Sequence, residues 1–326
     1  MIETLSLSDL LISLVHLALV KRIMMKALIT GSGGFVGQHL LRHLSDSGDD
    51  VVCSDISEGG PDILDQVGIT NLISETRPDF VYHLAGQADV KASWEDPINT
   101  FRVNAEGTLN VLLACESYNV KKVLCVSSAE VYGAVNDSDI PINENRDINP
   151  ANPYATSKAA SELICRQFRA QNLEVMRARS FNHFGPGQKE NFVTPALTKR
   201  MLQASANGKL EISVGNLAAV RDFTDVRDVV RAYRLILIKG NGGDVYNVCS
   251  GKGRAISDLA SALLRNIDSD LELKPDPDLY RPLDTPAIVG DYSKLHEQTG
   301  WKPNVEFEES IIDTIASMKR QLDNND

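Results

Sequence analysis

The sequence predicts an α/β fold, a doubly wound parallel sheet with a smaller, discontinuous C-terminal lobe. Three observations carry that prediction. From Lys26 onward, short apolar runs alternate with longer helical stretches. Gly31, Gly34 and Gly37 form a Gly-x-x-Gly-x-x-Gly turn between the first run and the first helix. After Asn182, prolines and glycines break the chain into short pieces. Strand–helix alternation of this kind builds a sheet with right-handed crossovers and helices on its faces.

The elements follow in order. Lys26–Thr30, Val51–Ser54, Phe80–Leu84 and Val123–Ser127 are short apolar runs, as buried parallel strands are. Val175–Arg179 adds a fifth. Helices are expected over Val36–Ser47, Gln66–Thr76, Thr100–Tyr118 and Tyr154–Gln171. Further on, Val226–Ile238 reads as a helix, Asp244–Val248 as a strand and Ile256–Arg265 as a helix. Pro275, Pro277, Pro282 and Pro286 mark a long loop ahead of Trp301 and the final helix. Residues 25–180 with 223–250 and 285–292 are expected to form a nucleotide-binding domain of the Rossmann type. Residues 181–222 with 251–284 and 293–326 would form the second lobe, with a cleft between the two.

Residues 1–24 stand apart. Leu10 to Val20 is apolar but too short to cross a bilayer as a helix. Glu3 and Asp9 precede it, Lys21 and Arg22 follow it, and no small-residue cleavage site comes after. Either the segment forms an amphipathic helix, or the native chain starts at Met24 or Met25, directly before the first strand. The second reading is preferred.

Composition narrows the partners. The 326-residue chain has a net charge of −11. That argues against nucleic acid or an anionic membrane as the main partner, yet allows an anionic ligand where basic residues gather. Cys53, Cys115, Cys125, Cys165 and Cys249 are scattered and odd in number. Neither a metal site nor a disulfide framework is indicated. Reduced cysteines in a cytoplasmic protein are the simplest reading.

The glycine turn has a physical job. Gly31 permits the tight bend, Gly34 lets backbone approach a pyrophosphate, and Gly37 lets the helix pack on its strand. Phe35 and Val36 open that helix at the expected phosphate end. Asp55, closing the second strand, can accept hydrogen bonds from both adenosine ribose hydroxyls and repel a 2′-phosphate. NAD(H) is therefore favoured, with NADP(H) possible. Asp62 and Ile63 are placed to meet the adenine edge, although an ordinary loop acid fits Asp62 as well. Leu84 and Ala85, at the end of the third strand, complete the expected cofactor site.

Tyr154 and Lys158 lie four apart on a predicted helix and so share a face. The ammonium is expected to stabilise a phenolate and lower the Tyr154 pKa, making the phenol a usable proton donor or acceptor. Ser128, at the end of the fourth strand, could hydrogen-bond a substrate oxygen beside it. Glu130 is either a base for a proton next to a carbonyl or an acid that orients a hydroxyl. Asn104 reads as an amide bracing the active-site helix, and His183 as packed rather than catalytic.

Together these motifs resemble the extended short-chain dehydrogenase/reductase superfamily over nearly all of residues 25–320. The stretches Arg179–Gln188 and Val214–Asp228, and Arg281-Pro282 ahead of Gly290-Asp291, resemble its nucleotide-sugar subgroup. The resemblance implies a homodimer joined through helices 100–118 and 154–171, and a GDP-sugar substrate. It also implies reduction of the C4 ketone of GDP-4-keto-6-deoxy-D-mannose to GDP-D-rhamnose. In that reaction Tyr154 protonates the C4 oxygen, Ser128 orients the ketone and Lys158 holds the nicotinamide ribose. Asn182, Val193, Lys199, Arg221 and Arg281 match positions that hold the nucleoside diphosphate. For Arg221 a salt bridge to Asp222 is the simpler alternative. A dehydratase acting on GDP-mannose is the competing activity, kept alive by Glu130, as is a 4-epimerase or reductase working on another nucleotide sugar.

Overall fold

The computed structural model describes residues 25–168, 173–279 and 285–324. Six parallel strands form the main sheet: β1 (Lys26–Thr30), β2 (Asp50–Ser54), β3 (Phe80–His83), β4 (Lys122–Ser128), β5 (Glu174–Ser180) and β9 (Val245–Val248). Their order is β2-β1-β3-β4-β5-β9. The central strands are buried on both faces, which explains why they read as continuous apolar runs rather than alternating ones.

Helices α1 (Phe35–Asp46) and α8 (Val226–Lys239) cover one face. Leu40, Leu44, Val229, Tyr233 and Ile236 pack there with Ile29 and Tyr82 of the sheet. The other face carries α2 (Gln66–Thr76), α5 (Gly107–Ser117) and α6 (Pro153–Gln167), through Ile69, Ile73, Val111, Leu112 and Cys165. Each fully buried Leu or Ile contributes about 1.5–3 kcal/mol of hydrophobic stabilisation.

Local chemistry sets where these helices begin. Asp65 caps α2 by accepting from Gly68 N at 3.0 Å, and Asp225 caps α8 by accepting from Arg227 N at 2.7 Å. Asn152 accepts from Ala155 N at 2.8 Å, with Pro153 at the first helical position, and so starts α6. The helix expected to reach Gln171 is described as far as Phe168, and residues 169–172 lie outside the described residues.

One expected helix is not a simple one. Thr100–Tyr118 splits into the end of α4 (Pro97–Phe101), a π-helical turn at Arg102–Glu106, and α5. The wider turn removes regular i→i−4 pairing, and Asn104 within it has both ends of its amide hydrogen-bonded, as described below.

The smaller lobe has its own sheet, in which β10 (Gly253–Ala255), β8 (Val220–Asp225) and β12 (Ala287–Ile288) are neighbours. β6 (Asn182–Phe184) also pairs with β8. Here α7 (Val193–Ala206), α9 (Ile256–Ile267) and α11 (Phe307–Asp323) share a core of Leu197, Met201, Leu259, Leu263, Ile311 and Ile315. Among the described residues, no helix is long and apolar enough to cross a membrane. Residues 1–24, for which two readings were open, lie outside the described residues.

Candidate active site

The glycine turn is a backbone cradle. Gly31 has φ of 78°, and its N–H donates to Ser54 O at 2.8 Å. A Cβ on Gly31 would sit 2.7 Å from Ala85 N, and one on Gly37 would sit 2.2 Å from Gly31 O. The first leaves no room between the turn and the end of β3, and the second lets α1 pack against its strand. At the start of α1 the N-cap Gly34 makes no side-chain cap bond, so the first-turn N–H groups have no side chain in their way. Such an end attracts a phosphate. Leu84 and Ala85 border this turn, and Val36 packs half-buried against the core.

Asp55 follows β2 directly. One carboxylate oxygen accepts from Gly33 N at 3.0 Å, and the other from Ser57 N at 2.9 Å and Ser57 Oγ at 2.6 Å. Partial burial pushes its pKa up, but these hydrogen bonds and the charge of Lys189 outweigh it and hold the carboxyl below its usual range. Asp62 accepts from Leu64 N within its own turn, and Ile63 is buried under Gly107 in the core. Phe35 stacks on His183 with ring centroids 6.2 Å apart.

The catalytic candidates converge where β4 ends against α6. Ser128, Tyr154 and Lys158 are all buried. Lys158 Nζ donates to Val126 O at 2.9 Å. Glu130 accepts from Asn152 Nδ2 at 3.1 Å, and Glu130 N donates to Ser128 Oγ. The expected lowering of the Tyr154 pKa is not what this structure gives. Burial pushes the phenol up to about 12, and the Ser128 hydroxyl only partly offsets this. Burial likewise lowers Lys158 to about 8. The ammonium is turned to a backbone carbonyl, so desolvation outweighs the side-chain pairing that the spacing suggested.

Asn104 braces the helix, as its sequence context suggested. Its Nδ2 donates to Ser157 Oγ at 2.8 Å and Gln87 O at 3.0 Å, and its Oδ1 accepts from Gln87 N at 2.9 Å. Behind it lies a relay that sequence reasoning missed. Thr108 Oγ1 donates to Asn104 O at 2.6 Å, so it must accept from His83 Nε2 at 3.1 Å. His83 Nδ1 then accepts from Thr30 Oγ1 at 2.8 Å. Burial holds this imidazole neutral, with its pKa lowered to about 3. The signal was present in His83 ending an otherwise apolar strand. His183 is half-buried, with desolvation lowering its pKa and Nδ1 donating to Phe181 O at 3.0 Å.

In the smaller lobe, Asn182, Val193, Arg221, Asn216 and Arg200 line a cavity of about 290 Å³. Arg221 Nη1 donates to Thr285 O and Val220 O, each at 2.8 Å. Asp222 is buried and accepts from Ser250 N, Ser250 Oγ, Gly251 N and Gly290 N. Lys199 is not among the lining residues, and its ammonium meets Glu190 at 2.8 Å. Arg200, the next residue, is a lining residue, and its guanidinium donates to Ser213 O. Val193, Ala196, Leu197 and Arg200 recur at i, i+3, i+4 and i+7, so helical phase points Arg200 inward. Arg281 lies outside the described residues.

This fold with this site defines an NAD(P)-dependent oxidoreductase of the extended short-chain dehydrogenase/reductase type. The chain belongs to the family described as GDP-mannose 4,6 dehydratase, whose model matches residues 59–314. It is similar to GDP-6-deoxy-D-mannose reductase of Pseudomonas aeruginosa, 38% identical over 90% of this chain and 97% of the relative. It is 31% identical to GDP-6-deoxy-D-talose 4-dehydrogenase of Aggregatibacter actinomycetemcomitans, over 83% of this chain and 90% of the relative. The solved structure of RMD from Pseudomonas aeruginosa complexed with NADPH superposes with a TM-score of 0.84 at 34% identity. That match covers 91% of this chain and 99% of the other.

Proposed function

We propose that this protein reduces the C4 ketone of GDP-4-keto-6-deoxy-D-mannose to a GDP-6-deoxyhexose, GDP-D-rhamnose. The observation that carries this reading is the setting of Tyr154, buried on α6 with its phenol against the Ser128 hydroxyl at the end of β4. A phenol raised to about 12 enters the reaction protonated, beside a Ser128 hydroxyl able to orient a ketone. That is the state a proton donor needs. With the cofactor bound, its dihydronicotinamide supplies the hydride for C4. Tyr154 gives its proton to the C4 oxygen, and Lys158, as an ammonium, offsets the charge left on the phenolate.

The glycine cradle and the open start of α1 fit a dinucleotide pyrophosphate, and Asp55 fits the adenosine ribose. NADH is the preferred reductant in this reading, because an ionised Asp55 faces the 2′ position. The charge of Lys189 on Asp55 is a reason for NADPH to be accepted as well. Asn182, Arg200 and Arg221 are assigned to the nucleoside diphosphate, where a guanidinium binds phosphate oxygens in pairs.

Dehydration of GDP-mannose is the second reading, favoured by Glu130 near Ser128. Against it, Glu130 already holds Asn152 at the start of α6, a structural task. The test is incubation with GDP-mannose and with GDP-4-keto-6-deoxy-mannose, each with and without NADH. Consumption of NADH with the keto-sugar alone supports the reductase. Conversion of GDP-mannose to the keto-sugar without net NADH use would overturn it.

A cytoplasmic homodimer completes the proposal. Val111 and Leu112 cover the protein's own sheet, whereas Phe101, Leu113 and Leu163 are exposed on α4, α5 and α6. Light scattering on the purified protein should give twice the chain mass, and Leu163→Glu should halve it. A native monomer would refute the dimer.

A further inference from the structure

The last three residues of β4 each meet one residue of α6. Ser128 faces Tyr154, Val126 O accepts from Lys158 Nζ, and Ser127 Oγ donates to Glu162 at 2.6 Å. Tyr154, Lys158 and Glu162 are spaced by four, so one helix face seats three successive strand residues. Glu162 is the deepest of the three, 2% exposed. Sheet register places Arg179 of β5 directly beside Ser127. Arg179 Nε and Nη2 donate to the two Glu162 oxygens at 2.9 and 2.8 Å. Arg177 Nη1 stands 3.8 Å from the same carboxylate. The Arg179 guanidinium in turn lies over Tyr132, 4.7 Å from the ring centroid, four residues beyond Ser128.

We propose that Glu162 is a positioning residue for the reduction: its carboxylate fixes the seat of α6 on β4 and β5 and sets a negative charge near Lys158. The inference rests on the reading of Tyr154 and Lys158 given above. A bidentate buried pair fixes both distance and angle, which a single hydrogen bond does not. Because Ser127 precedes Ser128, one carboxylate ties the strand end bearing the serine to the helix bearing the tyrosine. The groups facing Lys158 are Cys125 on β4, Cys165 and Glu162 on α6, and His83 on β3. The sulfurs of Cys125 and Cys165 pair with each other, and that hydrogen bond together with burial keeps the Cys165 thiol protonated. His83 is neutral. Glu162, held ionised by Arg179 and Ser127 against its burial, is therefore the standing negative charge among them. Its loss lowers the Lys158 pKa further, and the ammonium disappears at lower pH.

The test compares Glu162→Gln and Glu162→Asp with the native enzyme, reading kcat, KM and the pH profile of kcat/KM at saturating NADH. Glu162→Gln should lower kcat by about 10- to 100-fold through misplacement of the phenol, with KM for the keto-sugar within a few-fold. It should also move the alkaline limb to lower pH. Glu162→Asp keeps the charge, so its limb should stay in the native place although kcat falls. If Glu162→Gln does not fold, Glu162→Gln with Arg179→Met removes the buried pair together, and the same displaced limb is expected. A native kcat and limb in a folded Gln variant would overturn the inference, as would a limb displaced equally by Asp. Tyr154→Phe runs alongside as a control: if it kept activity, the reading of the site would fail, not the role of Glu162.

Discussion

The end of β4 and the cavity of the smaller lobe are built on opposite principles. Around the end of β4, side chains hold one another: Asn104 and Ser157, Ser127, Glu162 and Arg179, and His83 and Thr108 form buried networks in which single distances are fixed. In the smaller lobe, strands of two to six residues and a loop frame a cavity whose basic groups are held partly by main-chain carbonyls. Chemistry needs fixed geometry, and substrate choice needs a surface that loops can reshape. The two regions should therefore fail differently: damage to the first lowers kcat, and damage to the second raises KM.

The sharpest break in that contrast is Tyr154→Phe. Loss of the proton donor should cut kcat by about 10²–10⁴-fold, while NADH binding, followed by fluorescence, stays within a few-fold. Second comes pH. Lys158, lowered to about 8, is charged below that value and loses its proton above it, so kcat/KM should fall as pH rises through about 8. Above that limb the decline approaches tenfold per pH unit for a single required proton. An enzyme still at full rate near pH 10 would show that the ammonium is not needed.

What could be read from the chain follows the same division. Gly31, Gly34, Gly37, Tyr154 and Lys158 act through near-neighbour spacing, so local periodicity exposes them. The strands of the parallel sheet are likewise legible as short apolar runs alternating with helices, whereas their order in the sheet rests on pairings between distant segments. The lowering of the Tyr154 pKa was misread because spacing says which groups share a face, not how deeply that face is buried. Lys199 pairs with Glu190, whereas Arg200, one residue further along α7, lines the cavity with Val193, Ala196 and Leu197, a difference of helical phase that residue type alone does not show. The π-helical turn at Arg102–Glu106 carries Asn104, whose partners Gln87 and Ser157 lie 17 and 53 residues away, and no local pattern announces it. Ile63, expected at the adenine edge, lies in the core beneath Gly107.

Three smaller effects sharpen the contrast. Arg200→Ala should raise KM for the nucleotide sugar roughly tenfold with kcat nearly native, the value of a charged hydrogen bond. Lys199→Ala, which removes a half-exposed pair with Glu190, should change KM less than about twofold. The reverse order would return the diphosphate to Lys199. Asp55→Ala should narrow the preference for NADH over NADPH by a few-fold, read as the ratio of the two kcat/KM values. An unchanged ratio would mean that Asp55 does not read the ribose.

The most direct test of C4 reduction follows a label. NADH carrying deuterium at the transferable position of its nicotinamide is supplied with GDP-4-keto-6-deoxy-mannose, and the product is examined by NMR. Deuterium bonded to C4 of a 6-deoxyhexose, with one NADH consumed per sugar, is the predicted result. An unlabelled product, or a keto-sugar left intact while GDP-mannose is converted, would contradict it.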